Sequence, residues 1–141
     1  MEIFRGIWEG FEKILTPSGL EAVLYDVGKR NGISYAKYLS EKYGVKNVEL
    51  ISAVVQAAKA AGWGIVEVKI IDFKRFSGTI IVKECFEALA RGRKISKVCY
   101  WIRGFVAGFI SAVFDQPVEA VETRCLAVGD EYCEFEIRKK V

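Results

Sequence analysis

Four cysteines and no histidine set the chemistry open to this chain of 141 residues. Cys125 and Cys133 flank a Gly129-Asp130 turn signal that lies midway between them. On a hairpin closed at that turn the two thiols face each other across the strands. Ser96 reads as the N-cap of a helix running from Lys97 to Phe114, so Cys99 is its third residue. There its thiol sits in the positive field of the helix start, which favours the thiolate that zinc requires. Glu122, three residues before Cys125, is the available fourth ligand. Positions three apart on an ideal strand point to opposite faces, so Glu122 joins only where the strand bulges or bends. Four protein ligands leave no open position, which makes such a zinc site structural. Three thiolates and a carboxylate around a divalent ion also leave excess negative charge, with Lys97, Arg124 and Arg138 as candidate counter-charges. The competing reading is that the cysteines are buried small hydrophobes, since the spacing is not that of a CxxC pair.

Composition narrows the rest. The absence of histidine removes Ser-His-Asp and Cys-His catalysis and a histidine pH switch. Hydrophobic residues make up 52% of the chain, which excludes a disordered polar tail. That apolar content also suggests surface buried by a ligand or a second subunit. A net charge of +3 does not argue for nucleic acid, and the basic residues Arg91, Arg93, Lys94 and Lys97 read as a solvated loop. The apolar stretch from Val98 to Phe114 is short for a membrane span and carries Arg103, so it reads as a core helix. Met1 to Arg5 is not a secretory signal, and the expectation is a cytoplasmic protein with reduced thiols.

The elements that must hold these residues follow from periodicity. Residues 2–15 place apolar side chains three and four apart, as in an amphipathic helix. Thr16-Pro17 starts a second helix that Gly32 ends, and a third runs from Ser34 to Tyr43. A fourth runs from Asn47 to Gly62. The period then changes to two over Ile65–Phe73 and Phe76–Glu84, a hairpin closed at Lys74-Arg75. Residues 90–94 read as a loop. After the long helix, strands at Val118–Val128 and Tyr132–Arg138 form a second hairpin. The order predicts an α+β fold: N-terminal helices, then two β-hairpins making a four-stranded antiparallel sheet, with the long helix between them packed on it.

Cys99, Gly104 to Phe109, Phe114-Asp115-Gln116-Pro117-Val118-Glu119, Glu122-Thr123-Arg124-Cys125 and Gly129 to Phe135 together resemble the 4-vinyl reductase domain family. The long match covers residues 95–138, and weaker ones cover Leu24 to Gly28 and Gly62-Trp63-Gly64. Members occur in bacteriochlorophyll biosynthesis, as stand-alone archaeal proteins, and as sensory domains of phenol-responsive transcription activators. The resemblance implies one domain over residues 1–141, with helices on one side of the sheet, a relation to small trafficking-complex subunits, and dimerisation. It also implies zinc held by one Cys at the start of the long helix and a later Glu-x-x-Cys-x7-Cys. Cys99, Glu122, Cys125 and Cys133 match that set, which leaves Cys85 as a core thiol. The chain departs from the phenol sensors in lacking histidine, which puts phenol itself in doubt.

A hydrophobic ligand would be lined by aromatic and small residues: Trp63, Phe73, Phe76, Trp101, Gly104, Phe105, Gly108 and Phe109. The same residues could instead interdigitate as core, with the glycines admitting another helix. The expected function is a zinc-stabilised module for a hydrophobic, aromatic or tetrapyrrole-like small molecule, read by a separate output protein. The alternatives are a vinyl reductase or its accessory subunit, and an assembly subunit of a complex. The reductase reading lacks a G-x-G-x-x-G segment after a strand. The first helix, through Phe4, Trp8 and Phe11, serves either a homodimer or its own core.

Overall fold

Helix α1 (Glu2–Glu12) opens the fold, and the computed structural model describes residues 2–141. The face carrying Phe4, Trp8 and Phe11 packs within the subunit, against Leu20, Leu24 and Trp101. The opposite face leaves Ile3, Ile7 and Ile14 exposed. Thr16 then caps helix α2 (Pro17–Tyr43), its Oγ1 accepting from the Gly19 N–H at 3.1 Å with Pro17 at the first helical position.

Helix α2 runs unbroken for 27 residues, so the expected stop at Gly32 is corrected. Its real end is Gly44, in the left-handed conformation at φ 65°. Gly32 stays helical because it serves a packing contact. A Cβ there would run into the Phe105 carbonyl oxygen of helix α5 (Tyr100–Phe114), and one at Gly28 into the Trp101 carbonyl. The contact is reciprocal: Gly104 and Gly108 lie against the carbonyls of Tyr25 and Lys29. Two backbones in direct contact leave no room for side chains between them.

Helix α3 (Asn47–Ala61) ends at Gly62, and strands β1 (Ile65–Asp72) and β2 (Ser77–Lys83) form the first hairpin. Asp72 Oδ1 accepts from the Lys74 and Arg75 N–H groups at 2.9 and 3.0 Å and closes its turn. Residues expected to begin a loop instead form a short helix, α4 (Phe86–Arg91). After α5 come β3 (Val118–Arg124), a 3-10 turn (Leu126–Val128) and β4 (Cys133–Lys139). The first of these strands is shorter than the sequence suggests, because it stops at Arg124.

The sheet is antiparallel with order β1-β2-β4-β3. Val118 and Ala120 of β3 and Phe135 and Ile137 of β4 are buried in the core shared with α5. The α+β architecture and the long helix between two hairpins agree with the sequence reading. Among the described residues no helix is long and apolar enough to cross a membrane.

Candidate metal centre

Cys99, Glu122, Cys125 and Cys133 bring one ligand atom each into a cluster whose atoms all lie within 4.8 Å of one another. The three sulfurs are fully buried. Cys99 Sγ lies 3.8 Å from Cys125 Sγ and 3.6 Å from Cys133 Sγ. A metal–sulfur bond of about 2.3 Å in tetrahedral geometry sets neighbouring sulfurs about 3.8 Å apart. The spacing therefore fits one shared ion. Cys85 is also fully buried, with its sulfur 3.9 Å from that of Cys99, although it falls outside the four-atom group.

Local structure explains each placement. Cys99 occupies the N-cap position of α5 rather than its third residue, because the helix begins three residues later than the Ser96 cap implied. Glu122 reaches the cluster through a bulge. The β3–β4 register pairs Glu122 with Phe135 and Arg124 with Glu134, which leaves Thr123 as the extra residue. Thr123 Oγ1 donates to the Glu134 carboxylate at 2.8 Å, on the outer face of the sheet. Cys125 begins the tight turn after β3, and its N–H donates to Asp130 Oδ2 at 2.9 Å. The Leu126 N–H points at Cys133 Sγ, 3.4 Å away.

The polar groups fit a cation. Glu122 Oε1 accepts from the Cys99 N–H at 3.2 Å, while its Oε2 is buried with no hydrogen-bond partner. A buried carboxylate oxygen without a donor is costly unless an ion satisfies it. Burial pushes the Glu122 carboxyl up to about 8, and the charge of Cys125 adds to the effect. Hydrogen bonding with the surrounding sulfurs, first that of Cys125, pushes the Cys99 thiol up as well. Acids packed this closely cannot all ionise alone, and a divalent cation among them reverses that preference. The cluster can hold a metal ion. Of the proposed counter-charges, Arg138 is turned to Glu136 and Arg124 to Glu134.

A buried carboxylate beside this cluster was not legible in the sequence. Glu87 is 1% exposed and accepts from Trp8 Nε1 at 2.9 Å, Trp101 N at 3.1 Å and Ile102 N at 2.9 Å. It thus caps the start of α5 from another helix and ties α1 to both. Burial raises its pKa to about 7 against those three donors. A single Glu in a short polar-looking segment carries no signal for such a role.

The second feature is an apolar cavity of about 50 Å³ between α3, the first hairpin and α5. Trp63, Phe105 and Phe109 line it, as expected. The other five expected pocket residues do not. Gly104 and Gly108 face α2, Phe73 and Phe76 pack on Phe114, and Trp101 stacks among Phe4, Trp63 and Phe86 with its indole N–H on Asn31 Oδ1. The missing walls are Ile51, Val54, Val55 and Ala58 of α3 and Val66 and Val68 of β1. Their signal was the apolar face of α3, which identifies a helix but not what that helix covers.

The chain has relatives of known sequence and structure. Residues 79–139 match the family model of the 4-vinyl reductase domain. The uncharacterized protein MJ0150 of Methanocaldococcus jannaschii is 30% identical over 139 residues, 98% of this chain and 75% of that protein. MJ0855 of the same organism is 28% identical, over 96% of this chain and 53% of that protein. Among solved structures, the phenol-responsive sensory domain of the transcription activator PoxR, crystallised with phenol, has a TM-score of 0.80 at 14% identity, over 96% of this chain and 74% of that one. A vinyl-4-reductase family protein from Methanocaldococcus jannaschii gives 0.65 at 19%, over 96% and 75%. A trafficking protein particle complex subunit 3 from Naegleria fowleri, covalently bound to palmitic acid, gives 0.66 at 14%, over 99% and 95%. At these identities the structural likeness is one of fold. With the matched segment and the full-length relative, it establishes that the chain belongs to the 4-vinyl reductase domain family.

Proposed function

We propose that residues 1–141 form a single zinc-stabilised domain that binds a hydrophobic small molecule and reports it to a separate protein. Zinc is held by Cys99, Glu122, Cys125 and Cys133 and acts structurally, pinning the start of α5 to the last two strands. The observation that carries the reading is that one helix serves both features. Cys99 caps α5, and Ile102, Phe105, Val106, Phe109 and Ile110 of the same helix line the cavity. The metal fixes that wall while α3 forms the opposite one.

The cavity volume sets the mechanism. A dry cavity of about 150 Å³ takes a benzene-sized guest, whereas this one is about 50 Å³. A ligand of that size seats only when α3 moves away from α5, so it selects a packing in which α3 is displaced. The wholly apolar lining suits an unsubstituted aromatic or aliphatic group. The PoxR domain was crystallised with phenol, but this lining offers no polar side chain for a hydroxyl. The exposed stripe of Ile3, Ile7 and Ile14 on α1 is the face for a homodimer. Reduced thiols at the metal site suit the cytoplasm.

Native mass spectrometry of protein purified without chelator tests the whole reading. One zinc per chain, a dimer and a retained organic mass are expected. Metal-free protein that is folded and stable would sink it.

A further inference from the structure

Cys85 has no place in the metal set just proposed, yet it is built into the same cluster. It is fully buried and lies just before α4, one residue after β2 ends. Its sulfur is 3.9 Å from Cys99 Sγ, close to the spacing that Cys125 and Cys133 keep from Cys99. All three separations match the edge of a metal–thiolate tetrahedron, about 3.8 Å. The centre therefore has five donors for four positions, and Cys99 adjoins every sulfur. The oxygen donor, Glu122, retains the Cys99 N–H as a partner for its Oε1 whether or not it binds metal.

Ligand softness decides between the two candidates for the fourth position. Zinc is borderline and accepts a carboxylate among thiolates, whereas thiophilic ions favour sulfur throughout. Resting on the metal reading above, we propose that Cys85 is an alternative fourth ligand: a soft divalent ion such as Cd²⁺ is held by Cys85, Cys99, Cys125 and Cys133, with Glu122 released. The exchange trades one anionic donor for another, since the incoming thiol gives up its proton and the released carboxylate can take one. It needs no redox partner. The centre thus distinguishes zinc from thiophilic metals by which side chain completes it, and through Glu122 reports the difference to β3.

X-ray absorption spectroscopy of the intact protein loaded with zinc or with cadmium counts the sulfur neighbours of each ion. Zinc should show three sulfurs and one oxygen, and cadmium four sulfurs. Cys85→Ser should leave the zinc shell unchanged, which also shows that the site is intact, and should cut the cadmium shell to three sulfurs. Glu122→Ala should lose zinc more readily than cadmium. Three sulfurs around cadmium in the unaltered protein, or a four-sulfur shell that survives Cys85→Ser, would overturn the proposal while leaving the zinc site standing. Four sulfurs already around zinc would overturn it too, because Cys85 would then be a resident ligand. Uptake of neither ion would overturn the metal reading and this inference together.

Discussion

Glu122 and Cys125 stand three positions apart on one strand and still present their donor atoms to the same point. Thr123 makes this geometry work. As the unpaired residue of the bulge it turns outward to Glu134 beside Arg124, so Glu122 keeps phase with Val118 and Ala120 on the core side. Without the bulge, Cys125 would follow on the opposite face. A one-residue irregularity in a ladder is what assembles three thiols and a carboxylate from two distant segments.

Removing a thiolate ligand should therefore release the metal and the helix start together. Cys125→Ser and Cys133→Ser should each reduce zinc below one per chain and lower stability by about 3 kcal/mol, a fall in Tm of roughly 10 °C. Cys85→Ser should keep its zinc. Elemental analysis beside thermal melts checks both parts, and equal zinc loss from all three variants would refute the ligand assignment.

The four ligands could be read from the sequence because their constraints are local. A turn signal midway between Cys125 and Cys133, and a helix start near Cys99, leave few arrangements, and the family motif supplied the carboxylate. The cavity was less legible. Gly104 and Gly108 signal a close approach, but the sequence does not say whether a ligand or a backbone arrives, and here α2 does. For the same reason Gly32 looked like a helix end: its pairing partner lies more than seventy positions away. Glu87 was invisible because its donors, Trp8, Trp101 and Ile102, come from two other helices.

The glycines of the fold should respond to the same substitution with opposite signs. Gly32→Ala drives a methyl group into the Phe105 carbonyl, and backbone cannot give way cheaply. A loss above about 3 kcal/mol is expected in urea unfolding. Gly6 of α1 has open space where its Cβ would stand, so Gly6→Ala should gain about 1 kcal/mol from helix propensity. Gly6 lies between Ile3 and Ile7, and light scattering of this variant also tests the dimer face. A weakened dimer with a better folded subunit is the expected pair of results.

Glu87 gives the fold a pH dependence of definite sign. Its folded pKa of about 7 stands above the ordinary 4.5, so the native state binds the proton more tightly than the unfolded chain. The contribution is fully present below about pH 4.5 and is lost as pH rises towards 7. At one linkage increment per unit it amounts to roughly 3 kcal/mol at most. Glu87→Gln cannot titrate and should show a flatter decline over that range. Subtracting its unfolding free energies from those of the unaltered protein isolates the effect from other groups. A difference that does not change between pH 4.5 and 7 would mean that the three donors hold the carboxylate ionised throughout.

Filling the cavity should separate ligand binding from stability. Ala58 sits on its α3 wall, and Ala58→Val adds two carbon atoms to a space of about 50 Å³. Packing gained there should roughly offset the lower helix propensity of valine, leaving stability within about 1 kcal/mol. Calorimetric titration with a small aromatic such as indole should then show binding to the unaltered protein and at least a tenfold loss in the variant. Hydrogen exchange supplies the mechanistic half of the test. If the ligand displaces α3, amides of Leu50 to Ala58 exchange faster in the bound state while those of α5, held at Cys99, stay protected. Faster exchange confined to α5 would place the moving wall on the wrong side of the cavity.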